Sequence, residues 1–567
     1  MTATLPPAPV HWPRGLPRDA RVPHATYMHY LDTAALRYPD KPAVIYGGGV
    51  LTYAALQRRV TAMAGFLQQT LGVQPGDRVL LISQNCPQWV VAYYAILRAQ
   101  AAVVPVNPMS TAGEIAGYQQ DSGASVAFVA QEFLANVVPC LQAHGGGLQH
   151  GVVHAYSDAL PGEGADADLP EVVTAPRLPL SHACLHAFED VLALAQPPLP
   201  YQGQPEDLAV LPYTSGTTGH PKGCMHSHRS LLAANVTSQQ WRSLHADVTV
   251  LCVAPLFHML GLQNAMNLPL TLGATVVMMP RWNAAVAARL MERYRVTTWA
   301  APPAMVIDFF AHPDAATRDL SSLSLLSGGG AAMPEAIAKL LFERFGLSYN
   351  EAYGLSETAS FLLANPVHRG KRQCLGVVTP GVDARIIDPE TLQEVAPGEQ
   401  GELVARGPQV MSGYWRNDDA NATAFIELDG QRFFRTGDLA TQDEEGYFFM
   451  KDRLKRMINV SGYKVWPAEV ENVMYRHPAI HEACIVGVPD AQRGERVVGL
   501  VVLKPEHRGH LTEQALIDWG REQMAVYKAP RDIRFLDSLP KSGAGKILWR
   551  ELQNQERASA TQAGAIA

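Results

Sequence analysis

An α/β fold is what the sequence predicts: a large N-terminal domain of parallel-rich sheets covered by helices, then a small α+β C-terminal domain. Three observations carry that expectation. Strand-like and helix-like stretches alternate through the first half. At 567 residues the chain is too long for one compact core. The texture then changes near Arg453, where shorter elements of mixed type begin.

Leu56, Val60, Met63 and Leu67 recur at helical spacing, and RVLLISQN (78–85) is a short apolar run ending in a polar loop. PQWVVAYYAILRAQ is again helix-like and AAVVPVNP strand-like; EIAGYQQ and ASVAFVA repeat the pair. Steps of this length connect parallel strands through helices. Residues 157–207, rich in Pro, Asp and Gly, read as an irregular insertion. Beyond Arg453, VENVMYRH reads as a short helix, EACIVGVPD and ERVVGLVVLKP as strands, and LTEQALIDWGREQM as a helix. That unit is of roughly a hundred residues, a usual domain size. No internal repeat is present. The partition expected is 1–452 for the large domain, 453–456 for a boundary segment, 457–556 for the small domain and 557–567 for a low-complexity tail (RASATQAGAIA) that frays.

Composition narrows the class. The chain is 47% hydrophobic and 17% charged with 41 prolines and 46 glycines, which suits a soluble, loop-rich enzyme and not a coiled coil or disordered scaffold. A net charge of -7 gives no electrostatic reason to bind nucleic acid or an anionic membrane. Seven cysteines without a CxxC pair read as free thiols in a reducing compartment. The start, MTATLPPAPVHWPRGLPRDA, lacks a signal peptide's apolar run, and no stretch is long enough to span a bilayer, so a cytoplasmic location without an integral membrane segment is expected.

The chemistry begins at residues 213–223, YTSGTTGHPKG, which follow strand-like LAVLPY (208–213). Glycines let a backbone turn sharply and aim its N–H groups inward, a concavity that suits phosphate oxygens. Thr214, Ser215, Thr217 and Thr218 add hydroxyl donors around Gly216 and Gly219, and Lys222 adds a positive charge. The spacing is not Walker A, which needs GxxxxGK followed by Ser or Thr. SGAGKIL (542–548) is not Walker A either, since Ile547 stands where the hydroxyl belongs. Taken alone, the strip could equally be a surface linker.

Further strips follow in order: PLFHMLGL (255–262), YGLSETA (353–359), GELVARGPQVMSGYW (401–415), RTGDLA (435–440), DRLKRMINVSGYKVWPAEVE (452–471) and PKSGAGKI (540–547). With them the chain, from about 30 to 550, resembles the acyl-adenylate-forming superfamily of acyl-CoA synthetases, luciferases and peptide-synthetase adenylation domains. The resemblance implies ATP, Mg²⁺ and coenzyme A as cofactors, and a small domain that is mobile. It implies that Thr214 to Lys222 hold the β- and γ-phosphates, that Glu357 is the magnesium carboxylate with Thr214 able to join it, and that Ser356, where threonine is usual, touches the α-phosphate. Tyr353 would stack on adenine, with the backbone of Gly328, Gly329, Gly330 and Ala331 opposite. Glu351 and Ala352 depart from the glutamine–glycine pair common there.

Asp438 in RTGDLA can accept from both ribose hydroxyls, and Arg453 can add a second contact; a plain interdomain salt bridge between them is compatible with both roles. Lys546, in PKSGAGKI, would bridge the incoming carboxylate and an α-phosphate oxygen as a point charge. Lys455 occupies the family's hinge position, and Gly462 would line the pantetheine channel after the small domain swings. Lys455 with Arg456 could also be a charged linker. His258 either borders the acyl pocket or is a satisfied core histidine. His220, Cys224, His226 and His228 alternate in a way that suggests zinc, but they follow the phosphate loop directly, and zinc is set aside.

The acyl pocket is expected among His258, Gly261, Ala304 and Gly328 to Ala332. These are small residues and no basic residue is evident among them, so a hydrophobic monocarboxylic acid is expected: a medium or long fatty acid, or a bulky aromatic or alicyclic one. The main expectation is an acid–CoA ligase acting through an acyl-AMP. A stand-alone adenylating enzyme that loads a carrier protein, and a catalytically silent nucleotide-binding scaffold, are the alternatives. The partners expected are the acid, ATP and CoA; a homodimer stays open.

Overall fold

The computed structural model describes residues 5, 9–141, 146–166, 168–214, 221–330, 333–461, 463–490, 493–541 and 547–564, the last five by backbone alone. The chain divides into two compact units, Met1–Asp383 with Ala405–Phe434, and Ala384–Val404 with Arg435–Ala567.

The first unit holds two large sheets. One has nine strands in the order Val377–Val378, Leu363–Ala364, Tyr349–Tyr353, Leu325–Gly328, Thr298–Ala300, Thr249–Cys252, Thr275–Met278, Pro42–Tyr46 and Gly49–Thr52. From Tyr349–Tyr353 to Pro42–Tyr46 the neighbours are parallel, and antiparallel strands close both edges. The other has seven: His226–Ser227, Leu208–Val210, Ala102–Val106, Arg78–Ile82, Val126–Ala130, His150–His154 and Leu185–Ala187. All of its pairings are parallel except the first. Ala102–Val106 and Val126–Ala130 are buried at every position, as strands covered on both faces must be.

The alternation read from the sequence appears as helix Tyr53–Gln69, strand Arg78–Ile82, helix Pro87–Arg98, strand Ala102–Val106, helix Ala112–Ser122 and strand Val126–Ala130. Local chemistry sets the starts. Thr52 caps the first helix by accepting from Ala55 N, and Thr111 with Glu114 forms a capping box. The stretch 157–207 is less irregular than expected: it supplies the edge strand Leu185–Ala187 and the helix Phe188–Ala193. Three strand residues are too few to give a periodic signal.

The second unit carries a five-stranded sheet with Gly494–Leu503 near its centre. That strand pairs antiparallel with Ile480–Asp490 and Ile458–Val460, and parallel with Asp532–Phe535; Tyr463–Val465 completes the sheet. Helices Pro467–Met474, Glu513–Gln523 and Trp549–Gly564 accompany it, the last continuing past Glu556 into the stretch expected to fray. This unit also takes in Asp438–Gln442 paired with Phe448–Arg453, so the expected boundary at 452/453 falls inside it. Strand pairing binds those residues together wherever a hinge lies. Among the described residues no helix is long and apolar enough to cross a membrane.

Candidate active site

In an open parallel sheet, ligands bind beyond the carboxyl ends of the strands. Four neighbouring strands of the nine-stranded sheet end in the residues singled out from sequence. Thr249–Cys252 leads to His258, Thr298–Ala300 to Ala304, Leu325–Gly328 to Gly329 and Gly330, and Tyr349–Tyr353 to Ser356 and Glu357. Parallel register therefore gathers them along one rim. A side chain at Gly328 would put Cβ 1.9 Å from Ala301 O, and at Gly329 2.1 Å from Ala352 O, so only glycine lets these strand ends approach so closely. Tyr353 is buried at 8% exposure, and Ser356 and Glu357 are half-buried. Glu351 turns its side chain away to accept from Gln373 N at 3.1 Å, and burial pushes its carboxyl up to about 7. His258 is half-buried with its ring against Phe257, centroids 4.5 Å apart.

The glycine-rich strip is held at its base by a short hairpin. Thr214 pairs with Lys222 and Tyr213 with Gly223. Ser215, Gly216, Thr217, Thr218 and Gly219 lie outside the described residues, as does Ala331. The hairpin is tied to Glu357 by the segment MSGYW (411–415), to which no role was assigned above. Met225 N donates to Gly413 O at 2.9 Å, Ser412 N to Met225 O at 3.1 Å, and Trp415 N to Gly223 O at 2.8 Å. Tyr414 lies at the centre of this ladder. Its hydroxyl donates to Glu357 Oε1 at 2.8 Å, and its ring centroid is 5.0 Å from Lys222 Nζ. Burial beside that carboxylate drives the phenol's pKa upward, so it remains a donor. One tyrosine thus links the lysine of the phosphate strip to the expected metal carboxylate.

His226, weighed above as a zinc ligand, does different work. Its Nε2 donates to Ser356 O at 2.6 Å, while Nδ1 lies 3.2 Å from Ser230 Oγ. Burial depresses its pKa to about 4, so the ring is neutral and carries the one proton that the Ser356 carbonyl needs. It fixes the 3-10 turn Ser356–Thr358 from behind. Met411 N adds a bond to Glu357 O at 2.8 Å. His228 is buried also, its Nδ1 accepting from Tyr27 N at 3.5 Å. The donors that Glu357 and Thr214 offer are all oxygens, a carboxylate and a hydroxyl, which suits a hard divalent cation that keeps most of its waters.

In the second unit, Asp438 is 1% exposed, stands directly opposite Arg453 in the antiparallel register, and pairs with Arg453 Nε at 3.1 Å. That ion pair lies within one unit, not between domains. Lys455 is exposed in the turn Leu454–Arg456, whereas Arg456 is anchored, pairing with Glu471 and donating to Ile485 O at 3.1 Å. The two are therefore not equivalent members of a charged linker. Gly462 and Lys546 lie outside the described residues. Pairing of Val460 with Tyr463 brackets the first, and a bridge between Lys541 and Ile547 brackets the second.

Comparison with known proteins shows the family. Residues 31–415 match the family model for AMP-binding enzyme, and 469–546 match that for the AMP-binding enzyme C-terminal domain. A long-chain-fatty-acid–CoA ligase of Bacillus subtilis (strain 168) is 33% identical over 559 residues, covering 96% of this chain and 97% of that protein. A feruloyl-CoA synthase of Amycolatopsis is 34% identical over 519 residues, 91% of this chain and 96% of that one. Among solved structures, ATP-bound MatB from Rhodopseudomonas palustris superposes with a TM-score of 0.81 at 26% identity, covering 94% of this chain and 99% of that chain.

Proposed function

This chain belongs to the AMP-binding enzyme family and is an acyl-CoA synthetase; on that premise we propose that it activates a hydrophobic carboxylic acid, a medium- or long-chain fatty acid or a bulky aromatic or alicyclic one, through an acyl-AMP. Enzymes of this family use ATP, Mg²⁺ and coenzyme A, and these are the cofactors here. The relatives named for fatty acids and for feruloyl groups support both branches of that substrate class.

A carboxylate resists substitution because its leaving group would be oxide. In the first half-reaction its oxygen attacks the α-phosphorus of ATP; the bond to the β-phosphate bridging oxygen breaks, and pyrophosphate leaves with the electron pair. In the second, the thiol sulfur of CoA attacks the acyl carbon, its proton passes to solvent, and AMP departs. The protein's part is to aim the groups and to balance charge that develops in transit. Lys222 and the strip above it would hold the β- and γ-phosphates. Glu357, oriented by Tyr414, and Thr214 would hold Mg²⁺, which when bound offsets phosphate charge. Ser356 would touch the α-phosphate, Tyr353 would flank adenine, and Asp438 with Arg453 would hold the ribose. Lys546 would bridge carboxylate and α-phosphate; its withdrawal about Lys455 would let Gly462 line the path of the thiol.

The observation that carries the reading is the Lys222–Tyr414–Glu357 chain, which ties the base of the glycine-rich strip to a carboxylate at the sheet's rim. The deciding experiment supplies acid and Mg-ATP and measures pyrophosphate release, then adds either CoA or a carrier protein and weighs the product. Acid-dependent pyrophosphate followed by a CoA thioester is the expected result. No release with any acid would exclude the ligase reading, and product on the carrier alone would point to carrier loading.

A further inference from the structure

His258 follows a short loop, 253–257, that leaves strand Thr249–Cys252 at its carboxyl end. A loop aims a side chain only as well as its own backbone is held. The side chains of this loop are apolar, and Pro255 has no N–H to offer. Yet the loop is buried, with Ala254 1% and Leu256 0% exposed, so its backbone polar groups must find partners inside the protein. The partner is a side chain from the other sheet. Asn85, 3% exposed, lies between strand Arg78–Ile82 of the seven-stranded sheet and helix Pro87–Arg98. Its Nδ2 donates to Ala254 O at 3.1 Å, and its Oδ1 accepts from Leu256 N at 2.9 Å.

These two bonds reproduce a strand-like bridge between the carboxyl ends of two sheets, with an amide side chain in place of a backbone. One contact needs a donor and the other an acceptor, and asparagine supplies both on a stem of one methylene. Aspartate cannot donate, leucine can do neither, and glutamine is too long by one carbon. Asn85 is itself held from both sides along the chain. Gln84 N donates to Tyr156 Oη at 3.2 Å, and Cys86 Sγ accepts from Trp89 N at 3.3 Å where the helix begins. Beyond the loop the chain turns back tightly. His258 N donates to Pro255 O at 3.1 Å, and a Cβ at Gly261 would stand 2.3 Å from Pro255 O and 2.5 Å from Ala254 O. The loop is thus pinned by Asn85 before His258 and pressed home at Gly261 after it.

We infer that Asn85 is a positioning residue for the acid, holding loop 253–257 so that His258 keeps its place at the rim. The inference rests on the acyl-CoA ligase reading and on the acyl-pocket role of His258. Without the amide, Ala254 O and Leu256 N stay buried and lose these bonds, and a backbone that shifts to satisfy them carries His258 with it. Tyr353, Ser356 and Glu357 follow a different strand, Tyr349–Tyr353, so the nucleotide side of the site is left in place.

The experiment measures acid-dependent pyrophosphate release, varying acid and ATP in turn, together with Tm. Asn85→Asp keeps the shape and the acceptor but loses the donor; Asn85→Ser withdraws both. In each, kcat/KM for the acid is expected to fall about 30-fold while KM for ATP stays within about twofold of the wild type, the loss of a buried hydrogen bond being felt at the loop alone. His258→Ala and the double variant with Asn85→Ser complete a cycle. If Asn85 acts through His258, the double variant is no slower than His258→Ala. A lowered Tm with kcat/KM unchanged would make Asn85 a purely structural residue, and additive losses would show that it does not act through His258; either overturns the inference. If neither Asn85 variant folds, hydrogen exchange of the wild type decides. The Leu256 amide is expected to exchange as slowly as those of strand Thr249–Cys252, and exchange at the rate of an exposed loop would overturn the assignment. Failure of every acid to release pyrophosphate from the wild type would instead overturn the ligase reading.

Discussion

Tyr414 separates a motif from its use. Its hydroxyl donates its proton to Glu357 Oε1, and its ring meets Lys222. Tyr414→Phe keeps the ring and removes only the hydrogen bond, worth about 1.5–3 kcal/mol to a charged acceptor. Adenylation is expected to fall about tenfold, with a higher Mg²⁺ concentration needed for half-maximal rate. An unmoved Mg²⁺ titration would show that Tyr414 does not orient Glu357. Lys546 gives a second prediction of the same grain. Lys546→Ala should depress adenylation while sparing thioester formation from supplied acyl-AMP, and equal loss of both half-reactions would remove it from the proposed role.

At the scale of elements, function depends on strand ends drawn close together. Gly328→Ala forces Cβ against Ala301 O, 1.9 Å away, so either the strand Leu325–Gly328 or its neighbour Thr298–Ala300 must shift. Overpacking of this kind costs about 1–3 kcal/mol. The expected outcome is a lower Tm together with a raised KM for ATP; a drop in Tm without a change in KM would disconnect this rim from the nucleotide. The hairpin Ile458–Val460/Tyr463–Val465 supports the converse test, in which Gly462→Trp blocks capture by CoA and leaves pyrophosphate release intact. Longer elements such as Tyr53–Gln69 were legible in the sequence because hydrophobic period is a local property. Leu185–Ala187 was not, since three residues gain a strand's identity only from His150–His154 beside them.

At the scale of the whole molecule, buried titratable groups set the pH range of stability. Burial holds His154 at about 3, and His226 and His228 at about 4, against an ordinary value of 6.5. Below pH 6.5 the unfolded chain therefore binds protons that the folded chain refuses, and stability contributed by these groups falls as pH drops from 6.5 toward 4. Glu351, raised to about 7 from 4.5, acts oppositely, since the folded state takes its proton first. Three histidines outweigh one carboxyl in this window. The Tm is expected to fall steadily between pH 6.5 and 4.5, and His228→Gln should flatten that slope by about one proton if it folds. A slope unchanged in such a variant would mean that His228 is not held neutral.

The sequence by itself determined the class of fold, the alternation of elements in its first half and the family, because hydrophobic period and the YTSGTTGHPKG and YGLSETA strips depend only on neighbours along the chain. Tertiary structure decided which groups meet. His226 became the support of Ser356 instead of a metal ligand because two sheets bring residues 130 positions apart within 2.6 Å. Tyr414 reached Glu357 for the same reason. A side chain's charge is written in the sequence; what it must be paired with depends on long-range packing, which no local pattern encodes.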